Sequence, residues 1–139
     1  MVKKVINTAV KIKKGLHPGP LVLGNTEVKR DWGYAPEYVK AMWLILQQKV
    51  PGDFLICSGN VMALKDLVDE VFENLGLDKK VHLKQDTSLL RPVDLEIIYG
   101  DNTKAKEKLE WNYNISNKQL IKLLIADEEK FIDWELKHG

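Results

Sequence analysis

Two arginines are placed where the chain could bind an anion. Arg30 lies in the run Lys29-Arg30-Asp31-Trp32, shortly after the turn Gly24-Asn25, and Arg91 is followed by a rigid proline. A guanidinium group offers a planar set of donors that matches phosphate oxygens. The pattern therefore predicts an anion site. Solvated arginines paired with nearby carboxylates give the same pattern, so that interpretation stays open for both residues.

Other charged residues indicate binding or acid/base chemistry less directly. Lys3 and Lys4 open the first predicted helix, where the helix dipole disfavours positive charge, so a binding role competes with that of two flexible terminal lysines. Asp94 and Glu96 alternate with apolar residues in a strand-like pattern that would place both carboxylates on one face. Such a face is more often the solvated side of a sheet than a catalytic pair.

Several classes of site have no signature in the sequence. There is no Gly-x-Gly-x-x-Gly or Gly-x-x-x-x-Gly-Lys loop for a dinucleotide or triphosphate, and no Tyr-x-x-x-Lys pair. Cys57 is the single cysteine and the three histidines are scattered, so no metal-ligand spacing exists. We expect this chain alone to hold no metal, no cofactor and no catalytic residue.

Length and composition limit the class of protein to which the chain can belong. The chain has 139 residues, 45% of them hydrophobic and 29% charged, with a net charge of +1, which fits one folded region spanning residues 1–139. The near-neutral charge gives no support for nucleic-acid binding. No segment resembles a signal peptide or reaches the ~20 apolar residues needed to cross a bilayer, so we expect a cytoplasmic protein without membrane contact.

The hydropathy pattern predicts a mixed α/β fold with about five helices and a few short strands. Helices are expected around Val5 to Val10, from Pro36 to Gln48, from Leu64 to Leu75 with a stop at Gly76, and after the capping box of Ser116 and Gln119; strands are expected at 21–23, 54–57, 81–83 and 95–99. Most tryptophans, Trp43 and Trp134 included, are expected in the core.

Residues 37–58 show a mismatch with the rest of the chain. The helix over 37–48 is apolar nearly all round, and the run Phe54-Leu55-Ile56-Cys57 has the pattern of a strand covered on both faces. Such a strand needs flanking strands, and this chain offers few of comparable hydrophobicity. We therefore expect part of a larger sheet to lie outside this chain.

The run from Gly24 to Leu44, GNTEVKRDWGYAPEYVKAMWL, resembles the GDP-mannose 4,6-dehydratase family. The resemblance continues through Ser58-Gly59, Arg91-Pro92-Val93-Asp94 and the segment from Lys104 to Trp111. It covers the whole chain but only the C-terminal half of the family. It implies the C-terminal, substrate-binding part of an extended short-chain dehydrogenase with an incomplete Rossmann sheet, in which residues 37–58 would be the returning helix and strand.

The same resemblance implies a function and a set of contacts. The chain would bind GDP-mannose within a lyase of GDP-deoxysugar biosynthesis, of the GDP-fucose or GDP-rhamnose type. NADP and the catalytic residues would belong to the upstream half, so the chain alone should be inactive. The implied substrate contacts are Lys4 at the guanine with Val2 nearby, Asn25 beside the nucleotide, Arg30 and Arg91 at the diphosphate, and Asp94 at the ribose hydroxyls.

The expected partners are a GDP-sugar and either a second copy of the chain or a separate N-terminal Rossmann half. The exposed apolar surface of the helix and strand in 37–58 would mediate that association. Two alternatives stay open. The chain could be a truncated, non-catalytic interaction module, or it could be part of another nucleotide-sugar epimerase or reductase.

Overall fold

The structure, a computed structural model, describes residues 1–90 and 93–139. Within these ranges the chain forms six helices, one 3-10 turn and five short strands. The helices are α1 (Val2–Lys13), α2 (Ala35–Leu46), α3 (Leu64–Leu75), α4 (Lys79–His82), α5 (Thr103–Leu109) and α6 (Asn117–His138), and the 3-10 turn is Thr87–Leu89. The strands are β1 (Leu21–Leu23), β2 (Lys29–Asp31), β3 (Val61–Ala63), β4 (Leu83–Gln85) and β5 (Ile97–Ile98).

The main core lies between α1, α3 and α6, which pack against one another. Apolar residues of α3 recur at helical spacing and all of them are buried, from Leu64 to Leu75. The helix ends at Gly76 in the left-handed conformation, with φ of 67°, as predicted. The predicted capping box is also present, because the Ser116 hydroxyl accepts from the Gln119 backbone and the Gln119 side chain accepts from the Ser116 N–H.

Two small sheets surround this core. Strands β1 and β4 pair in parallel. In the second sheet β2 is central, antiparallel to β3 and parallel to β5. Arg30 on β2 lies opposite Met62 on one side and Ile98 on the other. The backbone of Arg30 is therefore held between two strands, which fixes the position of its Cα.

A second apolar cluster joins α2 to α5 and to the segment after α5. Its buried members are Ala41, Ala105, Leu109, Trp111 and Tyr113. The Trp111 indole N–H donates to the carbonyl oxygen of Glu37 at 3.1 Å, and the Tyr113 hydroxyl accepts from the Tyr34 N–H at 2.9 Å. The polar atoms of these two rings are therefore satisfied at the start of α2.

The predicted strand at 54–57 is wrong for this chain, because these residues are irregular. A strand needs a neighbouring backbone, and none of the five strands in the described ranges pairs with this segment. Phe54 and Ile56 pack instead against the second cluster. The Lys104 ammonium lies over the Phe54 ring and donates to the Asp53 carbonyl oxygen at 2.8 Å.

Two other predicted strands differ in their bounds from the observed strands. Residues 79–82 form the short helix α4, so the strand predicted at 81–83 begins only at Leu83. The strand predicted at 95–99 is limited to Ile97 and Ile98. Asp94 and Glu96 therefore precede β5, and the expectation that they share one strand face is wrong. Their alternation with apolar residues arises in a loop.

The apolar surface of α2 is largely exposed. Ala41 is its one buried residue, whereas Trp43 is 61% exposed. Trp134 on α6 is 58% exposed. The expectation that Trp43 and Trp134 are core residues is therefore wrong in this chain. Within residues 1–90 and 93–139, no helix combines the length and apolar character needed to cross a membrane.

Candidate functional site

A cavity of about 480 Å³ lies between the start of α1, the end of β1, strand β2 and the 3-10 turn. Four of the predicted site residues line it: Lys4, Asn25, Arg30 and Asp94. The other lining residues are Met1, Leu23, Gly24, Val28, Trp32, Leu64 and Leu89. Ligand pockets for small molecules have volumes of about 300–1,000 Å³ and combine apolar walls with a few polar groups. This cavity has both properties.

Lys4 is held at the mouth of the cavity by the first turn of α1. The next residues, Val5 and Ile6, are buried in the main core and anchor that turn. The Lys4 ammonium donates to the carbonyl oxygen of Val22 at 2.7 Å. An ammonium has three donors, so this bond leaves capacity for a ligand oxygen.

Asn25 occupies a tight turn after β1. Its side-chain oxygen accepts from the Glu27 N–H at 2.9 Å, which is an Asx turn. The side-chain NH₂ is then the group that Asn25 can offer to a ligand. The preceding Gly24 passes so close to Leu89 that a Cβ at Gly24 would lie 2.9 Å from the Leu89 carbonyl oxygen. The glycine therefore lets these two walls of the cavity meet.

Arg30 points from β2 towards the segment that precedes β5. Its Nη2 donates to an oxygen of Asp94 at 3.2 Å. Its Nη1 donates to the carbonyl oxygen of Lys29 at 2.7 Å and more weakly to that of Glu96 at 3.5 Å. The side chains of Arg30 and Asp94 are only 22% and 23% exposed, so they form a partly desolvated ion pair.

Of the remaining two predicted residues, Val2 lies away from this group. Val2 lines a separate cavity of about 260 Å³ between α1 and α6, on the other side of Trp32. Trp32 lines both cavities and so separates them. Arg91 lies outside the described residues.

The sequence interpretation missed the apolar walls of the cavity. Leu89 and Val28 line it, but neither belongs to a motif that points to a ligand. Leu89 reaches the site through a tertiary contact between distant segments, whereas Val28 lies in the same stretch of sequence as Asn25 and Arg30. Gly24 was the available signal, since a glycine often marks a close approach between two stretches of backbone.

The lining carries charged groups of both signs beside its apolar walls. Its described residues include two cationic side chains, Lys4 and Arg30, and one carboxylate, Asp94. Lysine and arginine suit phosphate oxygens, and the apolar walls suit a flat ring. In the described ranges, no group of three or more His, Cys, Asp or Glu residues is arranged to hold a metal ion.

Solved structures with the same fold include proteins that act on nucleotide-sugars. RMD from Pseudomonas aeruginosa, complexed with NADPH, superposes with a TM-score of 0.81 at 19% identity over 94% of this chain and 42% of that one. UDP-glucose 4-epimerase from Thermotoga maritima with UDP-glucose gives 0.72 at 26% identity over 91% of this chain and 39% of that one. These similarities confirm the predicted fold class.

Sequence comparison identifies the family. GDP-mannose 4,6 dehydratase 1 of Arabidopsis thaliana is 36% identical over 91% of this chain, and the Homo sapiens GDP-mannose 4,6 dehydratase is 36% identical over 77%. The chain spans 35% and 34% of the length of these two relatives. The family model described as GDP-mannose 4,6 dehydratase matches residues 1–124. This chain therefore belongs to the GDP-mannose 4,6-dehydratase family.

Proposed function

We propose that this chain supplies the GDP-mannose-binding part of a GDP-mannose 4,6-dehydratase of GDP-deoxysugar biosynthesis. The observation that carries the proposal is the cavity in which Lys4, Asn25, Arg30 and Asp94 meet. These residues come from four separate segments of the chain, and the resemblance had assigned each of them to the nucleotide-sugar. Family membership supports the substrate class, and the shared cavity of these four residues supports their assignment to one ligand.

Each residue has a role that its chemistry permits. Arg30 would bind the diphosphate with its guanidinium, and Lys4 would donate to the guanine from the start of α1. The Asn25 NH₂ would donate beside the nucleotide, and Asp94 would accept from the ribose hydroxyls. Arg91 would provide a second phosphate contact from the segment next to Asp94.

The complete protein would carry out the dehydration with NADP held by the part that this chain lacks. The reaction would oxidise C4 of the mannose, eliminate water across C5 and C6, and return the hydride to C6. The NADPH complex of the similar RMD structure supports a nicotinamide cofactor in proteins of this fold. This chain would contribute binding and orientation of the GDP-sugar.

The partner of this chain would be a Rossmann part or a second copy of the chain. The exposed apolar residues of α2 and the unpaired segment 54–57 support such a docking surface. In the first case residues 37–58 would complete the sheet of the Rossmann part. In the second case the same face would be covered by its own copy.

A calorimetric titration of the purified chain with GDP, UDP and ADP tests the proposed function. We expect saturable binding that is selective for GDP and that weakens about tenfold or more in Arg30→Ala, because the lost group makes charge-assisted hydrogen bonds. Lys40→Ala is the matched control, since Lys40 is an exposed cation on α2 paired with Glu37. Equal affinity for GDP, UDP and ADP would exclude the proposal. It would also be excluded if the chain bound no nucleotide even with the complementary Rossmann part present.

The titration with UDP also tests a second candidate function. The similarity to a UDP-glucose 4-epimerase at 26% identity favours part of an epimerase for a UDP-sugar as the alternative. Tighter binding of UDP than of GDP would support it. The non-catalytic interaction module would instead bind none of the nucleotides while retaining its association with a partner.

A further inference from the structure

We propose that Glu128 is a positioning residue of the candidate site, because it ties the first two turns of α1 to α6 and so fixes the backbone from which Lys4 reaches the cavity. The inference deepens the proposed function and rests on it for the identity of the ligand. Glu128 lies beyond residue 124, where the match to the family model ends. Its role therefore does not follow from the resemblance.

Glu128 is a buried carboxylate whose two oxygens are both bound by side chains of α1. The residue is 5% exposed, and charged side chains are almost never buried to this extent without a partner. One oxygen accepts from the Lys3 ammonium, and the other accepts from the Asn7 side-chain NH₂ at 2.6 Å. Lys3 and Asn7 are four positions apart, so they lie on one face of the helix. The carboxylate therefore spans the first two turns of α1.

The start of α1 has few stabilising features of its own. The N-cap residue makes no side-chain hydrogen bond, the first turn carries no acidic residue, and its two lysines oppose the helix dipole. The helix is fully buried in the main core only from Val5 onwards, whereas Val2 is partly buried. The Glu128 carboxylate supplies the negative charge that this turn lacks.

Lys4 depends on the same turn, because it directly follows Lys3. Its ammonium donates to the Val22 carbonyl oxygen at 2.7 Å and lines the nucleotide cavity. Fraying of the turn would move the Lys4 Cα away from Val22. Arg30 is held instead by the pairing of β2 with β3 and β5. Loss of the Glu128 charge should therefore reduce the contribution of Lys4 to ligand binding and leave that of Arg30 unchanged.

Amide hydrogen exchange measures the attachment of α1 without any ligand. In Glu128→Gln the exchange at residues 5–7 should be about five- to tenfold faster than in the wild type, because the side chain keeps its size but loses its charge. Residues 67–71 of α3 belong to the main core and report global unfolding. Their exchange should change by less than about twofold.

Titration with GDP connects this attachment to the site. Glu128→Gln should weaken GDP binding about three- to tenfold, and it should add little to the effect of Lys4→Met, because both substitutions remove the same contact. In Arg30→Lys, which keeps a positive charge, Glu128→Gln should lower the affinity by its full factor. A merely destabilising substitution would lower the affinity by the same factor in every background.

Glu129→Gln is the matched control. Glu129 is the next residue on α6, and its carboxylate lies 3.7 Å from the Lys13 ammonium at the other end of α1. The substitution should leave exchange at residues 5–7 and the affinity for GDP within about twofold of wild type. Glu128→Leu is the second variant if Glu128→Gln does not fold, since an apolar side chain can replace a buried ion pair without loss of stability. It should reproduce both effects.

The outcomes separate this inference from the proposed function. Selective binding of GDP by the wild type, with unchanged exchange at residues 5–7 in Glu128→Gln, would uphold the GDP-sugar site and overturn the role of Glu128. Faster exchange confined to the start of α1, in a chain that does not prefer GDP over UDP and ADP, would uphold the role of Glu128 and reject the proposed substrate. Equal acceleration in α1 and α3, or additive losses with Lys4→Met, would also overturn the inference.

Discussion

The carboxylate of Asp31 accepts a hydrogen bond from the backbone N–H of Gly59 at 2.8 Å, joining strand β2 to the segment that follows residues 54–57. Its other oxygen accepts from the Ser58 N–H at 2.9 Å. Arg30 of the candidate site is the neighbouring residue on β2. The irregular apolar segment and the candidate site are therefore connected through two adjacent residues of one strand.

Replacing Asp31 with alanine should destabilise the chain by about 1–3 kcal/mol, because two backbone N–H groups lose their acceptor. Asp31→Asn keeps one side-chain acceptor oxygen and should recover part of that loss. Chemical denaturation of the two variants and the wild type measures the difference. Equal free energies of unfolding for wild type and Asp31→Ala would show that water replaces the carboxylate without cost.

Gly33→Ala should destabilise the chain by about 1–3 kcal/mol through overpacking against Tyr38. A Cβ at Gly33 would lie 2.1 Å from the Tyr38 hydroxyl oxygen, and the Tyr38 ring packs at 6.0 Å from both Trp111 and Tyr113. The ring therefore has little room to move away. Thermal unfolding measures the effect.

Gly19→Ala is the matched control for Gly33→Ala, since its new Cβ would have no atom within 4 Å beyond those of its own and the two adjacent residues. The double variant Gly33→Ala, Tyr38→Ala should be less destabilised than the sum of its two single variants, because the second substitution removes the clash. If the destabilisation of the double variant equalled the sum of the two single effects, a clash with Tyr38 would not be the cause of the Gly33→Ala effect.

Tyr38 should make the stability depend on pH in alkaline solution. Burial, together with the nearby Asp31 charge, raises the pKa of Tyr38 from 10.0 to about 12. The unfolded chain releases this proton near pH 10 and the folded chain only near pH 12, so the stabilising contribution is present below pH 10 and is lost as the pH rises to 12.

The measurement is the free energy of unfolding at pH 9 and pH 11 in the wild type and in Tyr38→Phe. The decrease between the two pH values should be smaller in Tyr38→Phe. Burial also raises the pKa of Tyr113, and the hydrogen bond that the Tyr34 hydroxyl donates to Asp127 raises the pKa of Tyr34, so part of the decrease should persist. Tyr99→Phe is the control, since Tyr99 is 72% exposed. If the free energy of unfolding decreased as much in Tyr38→Phe as in the wild type, Tyr38 would not be a cause of the pH dependence.

The elements that could be predicted from the sequence are those whose determining residues all lie within one short stretch of the chain. Helix α3 has its whole apolar face, from Leu64 to Leu75, and its stop at Gly76 within one stretch of sequence. The segment 54–57 was not predictable in the same way, since a strand forms only where a neighbouring backbone exists. Its apolar run indicates a preference for burial that Phe54 and Ile56 satisfy in part by packing against α2 and α5, whereas Leu55 is exposed.

The candidate site shows the same division. Arg30 could be predicted from a cluster of neighbouring charged residues after a turn, whereas Asn25 was implied as a site residue by the resemblance. The pairing of Arg30 with Asp94 joins residues 64 positions apart, and the contact of Gly24 with Leu89 joins two distant loops. No periodicity in the sequence encodes such contacts. Lys4 was identified by resemblance, and the fold places its ammonium at the cavity.

The exposed face of α2 should mediate association of the chain, either with a second copy or with a Rossmann part. Trp43 is its largest exposed side chain, with Val39, Met42 and Leu46 beside it. Trp43→Gln should weaken self-association about tenfold or more, because exposed tryptophans at interfaces often dominate the binding energy. The free energy of unfolding of the monomer should change by less than about 0.5 kcal/mol, since the side chain makes few contacts within the chain.

Sedimentation velocity over a range of concentrations measures this association. Trp134→Gln is a closely matched control, because Trp134 is also a helical tryptophan and is 58% exposed, but it lies on α6 next to Phe131 rather than on α2. Equal weakening by both substitutions would indicate association through general hydrophobicity. A wild-type chain that stays monomeric at every concentration would exclude a second copy as the occupant of this face.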